Sequence, residues 1–145
     1  MKAISSLTLI LAAVLFCQSA FPQTIRLRAV NGKNGKPFAH QRLVVFGGGD
    51  ADEVRFQKRT YDLKTDDDGL ATLVIDDATI KRIQVWVDFQ YLCQSTPNLR
   101  SYGLAEIVST GLNTPNDCGS IEPKTVPGLL TVFARRRTQQ EIRDE

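Results

Sequence analysis

The sequence predicts an all-β fold, a single antiparallel sandwich of seven strands. Apolar and polar residues alternate in several short segments, clusters of Gly, Pro, Asn and Asp separate these segments, and the body of the chain has no convincing helical pattern. We expect the sandwich to occupy residues 24–134. A secretory leader with its cleavage region at 1–23 would precede it, and a charged tail, frayed or weakly helical, would follow at 135–145.

The leader is predicted from the order of its parts. Lys2 is followed by an uncharged apolar run over residues 7–16, and small residues recur between 17 and 20. This order is typical of a signal peptide, and the run is shorter than the roughly 20 residues that span a bilayer. We therefore expect cleavage after Ser19 or a few residues later, export to the periplasm or the extracellular space, and no membrane span.

The first strands are predicted from alternation and from the glycines that interrupt it. Residues 24–30 alternate and predict a half-buried strand, and residues 31–37 are dense in turn formers. Residues 43–46 form a short apolar run that suits a core strand. The glycine-rich stretch at 47–52 that follows predicts a flexible loop.

A hairpin is the prediction for the next segment. Residues 58–65 and 70–75 flank the sequence Asp-Asp-Asp-Gly at 66–69. Asp-Gly between two alternating segments indicates a β-hairpin, because glycine adopts a positive φ without steric cost. Two later segments, 104–109 and 129–134, complete the seven predicted strands.

The longest alternation, at residues 83–91, supplies the candidate binding surface. Its odd positions are apolar and are expected to face the core. Its even positions would form a flat aromatic platform with a hydrogen-bonding rim, made of Trp86, Gln84, Asp88 and Gln90. Two alternatives stay open: a loop or the tail covers Trp86, or the even face is the inward one.

Two cysteines remain once the leader is removed. Cys93 and Cys118 lie 25 positions apart, and in an exported protein we expect them to form a disulfide. Such a bond would stabilise the fold by about 3–4 kcal/mol in the chain-entropy model. The loops around it are interpreted as a structural staple, with a rigid recognition edge as the alternative.

No metal or catalytic site is predicted. In an EF-hand alignment of the aspartates at 66–68, Lys64 and Ile75 occupy ligand positions that neither can serve, so a solvated turn is the better interpretation. His40 is the only histidine, and it has no recognisable nucleophile or metal-binding partners. The small net charge, +2 for the full chain, argues against nucleic acid or an acidic membrane as the partner.

The turns of the first half resemble those of a known fold family. A Gly-Lys-Pro turn at 35–37 follows the first strand, and a Thr-Asp-x-x-Gly turn at 65–69 precedes a later one. This pattern is similar to the prealbumin-like, immunoglobulin-like sandwiches of bacterial envelope proteins, namely carboxypeptidase-regulatory-like domains and B-type repeats of collagen adhesins. The first strand carries Arg26 and Arg28 where some adhesin repeats use a cross-linking lysine, so no isopeptide bond is expected.

The resemblance implies a noncatalytic accessory module. We expect it to bind a protein or a carbohydrate of the cell envelope without a cofactor. The alternative is a structural or assembly component that pairs with a partner through its edge strands. A hydrolase that uses His40 with acidic partners is a third and weaker hypothesis, because the histidine cluster of transthyretin-like hydrolases is absent.

Overall fold

The structure is a computed structural model that describes residues 22–96 and 100–144, so the leader prediction falls outside it except at its last two residues. The described residues form nine strands and three short helices. The strands are β1 (Gln23–Asn31), β2 (Arg42–Gly48), β3 (Arg59–Lys64), β4 (Leu70–Ile75), β5 (Arg82–Val87), β6 (Gln90–Leu92), β7 (Tyr102–Gly103), β8 (Leu112–Asn113) and β9 (Leu129–Arg136). The helices are α1 (Ala51–Arg55), α2 (Leu104–Ser109) and α3 (Gln139–Arg143).

The strands form two sheets, as an all-β sandwich requires, but the described residues contain nine strands where seven were predicted. The first sheet has the order β4-β1-β9-β6, with β8 also beside β9, and the second has the order β3-β2-β5-β7. In the first sheet, β1 and β8 each run parallel to β9. The prediction of a purely antiparallel sandwich is therefore wrong for these pairs. Alternation specifies the faces of a strand but not its direction, and no tight turn joins these strands to impose an antiparallel pairing.

The two sheets share one hydrophobic core. Along β1 the residues Ile25, Leu27 and Ala29 are buried while Thr24 and Arg26 are exposed, which is the predicted period of two. Leu43 and Val45 of β2 enter the same core from the other sheet. Apolar alternation in both sheets thus produces the packing of one sheet on the other.

The predicted hairpin between β3 and β4 does not form, although its turn does. Gly69 has a φ of +73°, and the carboxylate of Asp66 accepts hydrogen bonds from the backbone N–H groups of Asp68 and Leu70. However, β3 lies at an edge of the second sheet and β4 at an edge of the first. The turn crosses between the sheets because the Gly69 carbonyl accepts from the N–H of Ala29, which aligns β4 with β1.

Two segments that were predicted as a strand and as a flexible loop contain short helices. The segment predicted as a strand at 104–109 forms α2, whose buried residues Leu104 and Ile107 have the three-residue spacing of a helix face. In the predicted flexible loop, the Asp50 carboxylate accepts from the N–H of Glu53 and begins α1. The strand prediction at 104–109 failed because six residues are too few for their apolar pattern to distinguish a helix from a strand. The helix α1 was not predicted because it depends on the cap formed by Asp50.

The cysteines organise a second, smaller apolar cluster. Cys93 and Cys118 lie at disulfide distance, with 5.3 Å between their Cα atoms. Cys93 is buried with Val30 and Phe133, and Ile121 packs against the same cluster. The pair therefore joins the segment after β6 to the irregular segment that precedes β9.

Candidate binding groove

The long strand predicted at 83–91 breaks at a turn formed by Asp88 and Phe89. The part before the turn is β5 of the second sheet, and the part after it is β6 of the first. The odd residues of β5 face the core as predicted, but Phe89 is 72 % exposed and has a φ of +58°. The prediction that Phe89 faces the core is wrong, because the turn rotates the chain out of the strand's alternation.

The predicted platform residues lie in different environments. Trp86 is half-buried against the core, and its indole Nε1 is buried with no hydrogen-bond partner among residues 22–96 and 100–144. Gln84 is buried, with 5 % of its surface exposed. The Asp88 carboxylate faces Arg42 at 3.3 Å, and Gln90 belongs to the other sheet. The structure therefore does not present these four side chains as one exposed surface.

A groove of about 540 Å³ lies beside the exposed Phe89. Its walls come from the loop at 37–41, the turn at 89–90, the arginines Arg136 and Arg137, and Ile142 of α3. We call this set the Phe89 groove. It combines segments that are far apart in the sequence, and only Gln90 belongs to the predicted platform.

Hydrogen bonds hold the loop that forms one wall of the Phe89 groove. The buried hydroxyl of Thr65 donates to the carbonyl of Phe38 and accepts from the N–H of Gln41 at 2.9 Å. The side-chain amide of Gln41 donates to the carbonyl oxygen of Asp88 at 2.7 Å. The loop and the Phe89 turn are thus fixed to each other, which favours a site formed before a ligand arrives.

The predicted tail folds back and forms the other wall. Thr138 and Glu141 form a capping box at the start of α3, and Glu141 also accepts two hydrogen bonds from Arg135, at 3.0 and 2.7 Å. The Arg135 guanidinium and the Thr138 N–H lower the pKa of Glu141 to about 2. These bonds hold α3 in place, and its Ile142 is 53 % exposed at the groove.

Cation–π contacts with Tyr91 also stabilise the wall formed by the end of β9. The guanidinium groups of Arg135 and Arg137 lie 4.8 and 5.1 Å from the centre of the Tyr91 ring. Cation–π contacts of this kind favour an ordered arginine over one that extends freely into water. The end of β9 therefore enters the groove in a defined position.

The Phe89 groove carries excess positive charge. Two nearby carboxylates face arginines: Glu141 pairs with Arg135, and Asp88 shares Arg42 with Asp62. Asp67 faces His40. Within the described part of the chain, Arg136 forms no ion pair. The groove thus offers apolar surface together with the guanidinium of Arg136, and its lining residues include no carboxylate.

The loops beside the cysteines use their polar groups to hold themselves together. The Asn116 side-chain amide donates to the carbonyls of Gly32 and Ile121, both at 2.9 Å. The buried hydroxyl of Thr114 accepts from the N–H of Phe133 at 3.1 Å. These contacts favour the interpretation of the pair as a structural staple over that of a recognition edge.

The remaining candidate residues of the sequence analysis are His40 and the aspartates at 66–68. No group of three His, Cys, Asp or Glu side chains in them lies close enough to hold a metal ion. His40 is an exposed residue paired with Asp67, and the Asp66 carboxylate caps its own turn. The lining of the Phe89 groove combines apolar side chains, the amides of Gln41 and Gln90, and two arginines.

No protein-family model, curated protein or solved structure matches this chain. The helices of residues 22–96 and 100–144 have five or six residues each, and none is long and apolar enough to cross a membrane.

Proposed function

We propose that this chain is an exported, noncatalytic accessory module of the cell envelope that binds a protein or a carbohydrate in the Phe89 groove. The turns at 35–37 and 65–69 and the two-sheet architecture support a prealbumin-like module of the regulatory type. The cysteine pair at disulfide distance supports an oxidising compartment. The groove replaces the Trp86 platform as the proposed binding site.

The exposure and backbone conformation of Phe89 carry this proposal. A left-handed conformation costs a non-glycine residue on the order of 1–2 kcal/mol, and an exposed ring recovers little of that by burial. Glycine would suit the turn better if folding alone decided the residue. A ligand that covers the Phe89 ring would explain an aromatic side chain here, because burial of the ring would then offset the cost of the left-handed backbone.

The proposal is tested by comparing two exposed phenylalanines. Phe56 is 76 % exposed and follows α1 at the far end of β2, away from the groove. Immobilised wild-type protein, Phe89→Ser and Phe56→Ser are incubated with envelope extract and with soluble wall polysaccharides. We expect one component to be retained by the wild type and Phe56→Ser and lost from Phe89→Ser. Equal retention by all three proteins would contradict the groove as the binding site.

The edge strand β4 favours the alternative, an assembly component. In the described residues β4 pairs only with β1, it carries no charged residue, and its Val74 is 52 % exposed. Leu70 directs its N–H and C=O toward Asp66, so by alternation Thr72 and Val74 present theirs to the open edge. An uncharged, unprotected edge is suited to pairing with another strand.

Light scattering after size exclusion tests this alternative. A charge at the edge opposes strand addition, so Val74→Lys should release a complex that forms through β4. A wild-type complex that becomes monomeric on this substitution supports assembly through β4. A complex that withstands Val74→Lys, or a monomeric wild type with no partner in envelope extract, contradicts it.

A further inference from the structure

We propose that the Phe89 groove takes a short polypeptide segment that carries an apolar side chain next to a carboxylate. This inference rests on the proposed function and names the chemistry of its ligand. It commits to an acidic, apolar stretch of a partner protein. A carbohydrate and a membrane surface are the competing occupants.

Charge indicates the carboxylate. Arg136 is exposed at the groove without an ion pair among the described residues, and Arg137 lies beside it. Among the carboxylates of this end, Glu141 faces Arg135, and Asp88 faces Arg42, which also pairs with Asp62. A ligand carboxylate therefore meets the Arg136 guanidinium in a groove whose lining residues include no carboxylate, and arginine is well suited to bind carboxylates through two parallel hydrogen bonds.

Shape and composition indicate the apolar side chain. Phe89 and Ile142 offer apolar surface across a concave space of about 540 Å³, and Pro37 and Phe38 form part of the same wall. A half-open space of this size accommodates a side chain with its neighbouring backbone. An aromatic anchor of this kind dominates binding energy when its partner covers it.

The hydrogen-bonding groups favour a polypeptide over a sugar. Sugar hydroxyls need acceptors as well as donors, and the lining residues of the groove include no carboxylate. The Oε1 atom of Gln90, in the groove wall, is buried and has no hydrogen-bond partner in the described residues. After a side-chain rotation this one acceptor would take the single N–H of a peptide unit, whereas a sugar ring presents several hydroxyls that each need a partner.

Concavity also argues against a membrane surface. A peripheral membrane site projects apolar side chains outward into the acyl region, whereas Phe89 and Ile142 line a recess together with the 37–41 loop. A flat bilayer would leave this recess unfilled. A single side chain fits into it.

A display library of random seven-residue peptides provides the first test. The library is sorted for binding to wild-type protein and counter-sorted against Phe89→Ser. We expect enrichment of Asp or Glu adjacent to Leu, Ile or Phe. No enrichment, or enrichment of sequences that lack an acidic residue, would overturn the proposed ligand chemistry.

Variants then locate the site. A fluorescein-labelled copy of the most enriched peptide is titrated against Phe89→Ser and Arg136→Glu, with Phe56→Ser and Arg26→Glu as matched controls; Arg26 is exposed in the middle of β1. We expect the first two to raise the dissociation constant at least tenfold and the controls to change it less than twofold. Equal effects in the groove and control variants would overturn the location.

Two further probes separate this inference from the proposed function. Polygalacturonate tests an anionic carbohydrate, and phosphatidylglycerol vesicles test an anionic membrane. If polygalacturonate binds in a Phe89-dependent way while no peptide does, the polypeptide ligand is wrong but the proposed function stands. If the vesicles bind in that way while no peptide does, the polypeptide ligand is wrong and membrane binding replaces the proposed function. If neither these probes nor envelope extract binds in a Phe89-dependent way, both proposals are wrong.

Discussion

The side-chain amide of Gln41 donates a hydrogen bond of 2.7 Å to the carbonyl oxygen of Asp88, across 47 positions of sequence. Gln41 lies in the loop between β1 and β2, and Asp88 begins the turn that exposes Phe89. This bond connects two walls of the Phe89 groove. It makes the position of the aromatic ring depend on a loop from another part of the chain.

Replacing Gln41 should loosen the Phe89 turn. We expect Gln41→Ala to lower the free energy of unfolding by about 1 kcal/mol, because it removes a hydrogen bond that is partly shielded from water. Urea denaturation measures the change, with Gln23→Ala on the exposed start of β1 as the control. The same variant should weaken Phe89-dependent binding, and unchanged stability and binding would contradict the role assigned to the bond.

Replacing Phe89 with glycine should separate folding from binding. Glycine adopts the φ of +58° freely, so we expect Phe89→Gly to leave the free energy of unfolding unchanged or raise it by up to about 1 kcal/mol. Ligand binding should fall at least tenfold in the same variant. Thermal unfolding together with titration checks both results, and a stability loss above about 1 kcal/mol would show that Phe89 is needed for packing.

Acid should release α3 from the groove. The pKa of Glu141 lies at about 2 in the folded protein, below its ordinary value of 4.5, because Arg135 and the Thr138 N–H stabilise the carboxylate. The stabilisation is complete above pH 4.5 and is lost as the pH falls toward 2. Amide exchange at 139–143, followed by NMR, should accelerate over that interval.

The matched control for the acid effect is Glu141→Gln. Without the titrating carboxylate, exchange in α3 should be faster at pH 6 and should keep no step between pH 4.5 and 2 beyond the intrinsic pH dependence of exchange. A wild-type protein that shows no step in that interval would contradict the role of the Arg135–Glu141 pair in holding α3.

Trp86 should contribute to stability more than to binding. The side chain is half-buried and packs against the core, so we expect Trp86→Ala to lower the free energy of unfolding by about 2 kcal/mol. Binding in the Phe89 groove should change less than twofold. Denaturant unfolding and titration measure the two effects, and a stable variant with lost binding would restore the Trp86 platform as the site.

A methyl group at Gly32 should disturb the cluster around the cysteines. A Cβ atom there would lie 2.8 Å from the sulfur of Cys93 and closer still to the side-chain oxygen of Asn116. We expect Gly32→Ala to lower the free energy of unfolding by about 2 kcal/mol. Gly103→Ala is the control, because its nearest neighbour, an Arg82 guanidinium nitrogen, lies at 3.7 Å. Equal free energies of unfolding for the two variants would show that the cluster around the cysteines rearranges to accommodate a methyl group at little cost.

The sequence by itself determined the local features of this protein. Alternation located β1, β3 and β4, because a half-buried strand needs side chains of opposite polarity on its two faces. The apolar run at 43–46 located β2, and the segment predicted at 129–134 lies in β9. The turn at Gly69 was predictable because few residues other than glycine accept its φ of +73°. The pairing of Cys93 with Cys118 was predicted from the number of cysteines left after the leader, and the structure places the two at disulfide distance.

Only the tertiary structure decided how these pieces associate. The turn at Gly69 did not reveal that β3 and β4 enter different sheets, and the alternation at 83–91 concealed the turn that exposes Phe89. The apolar spacing of 104–109 was too short to distinguish a helix from a strand. Local propensity limits the backbone of each segment, whereas strand direction and burial depend on contacts with residues far away in the chain. The Phe89 groove is made of such contacts, so no single stretch of sequence contains it.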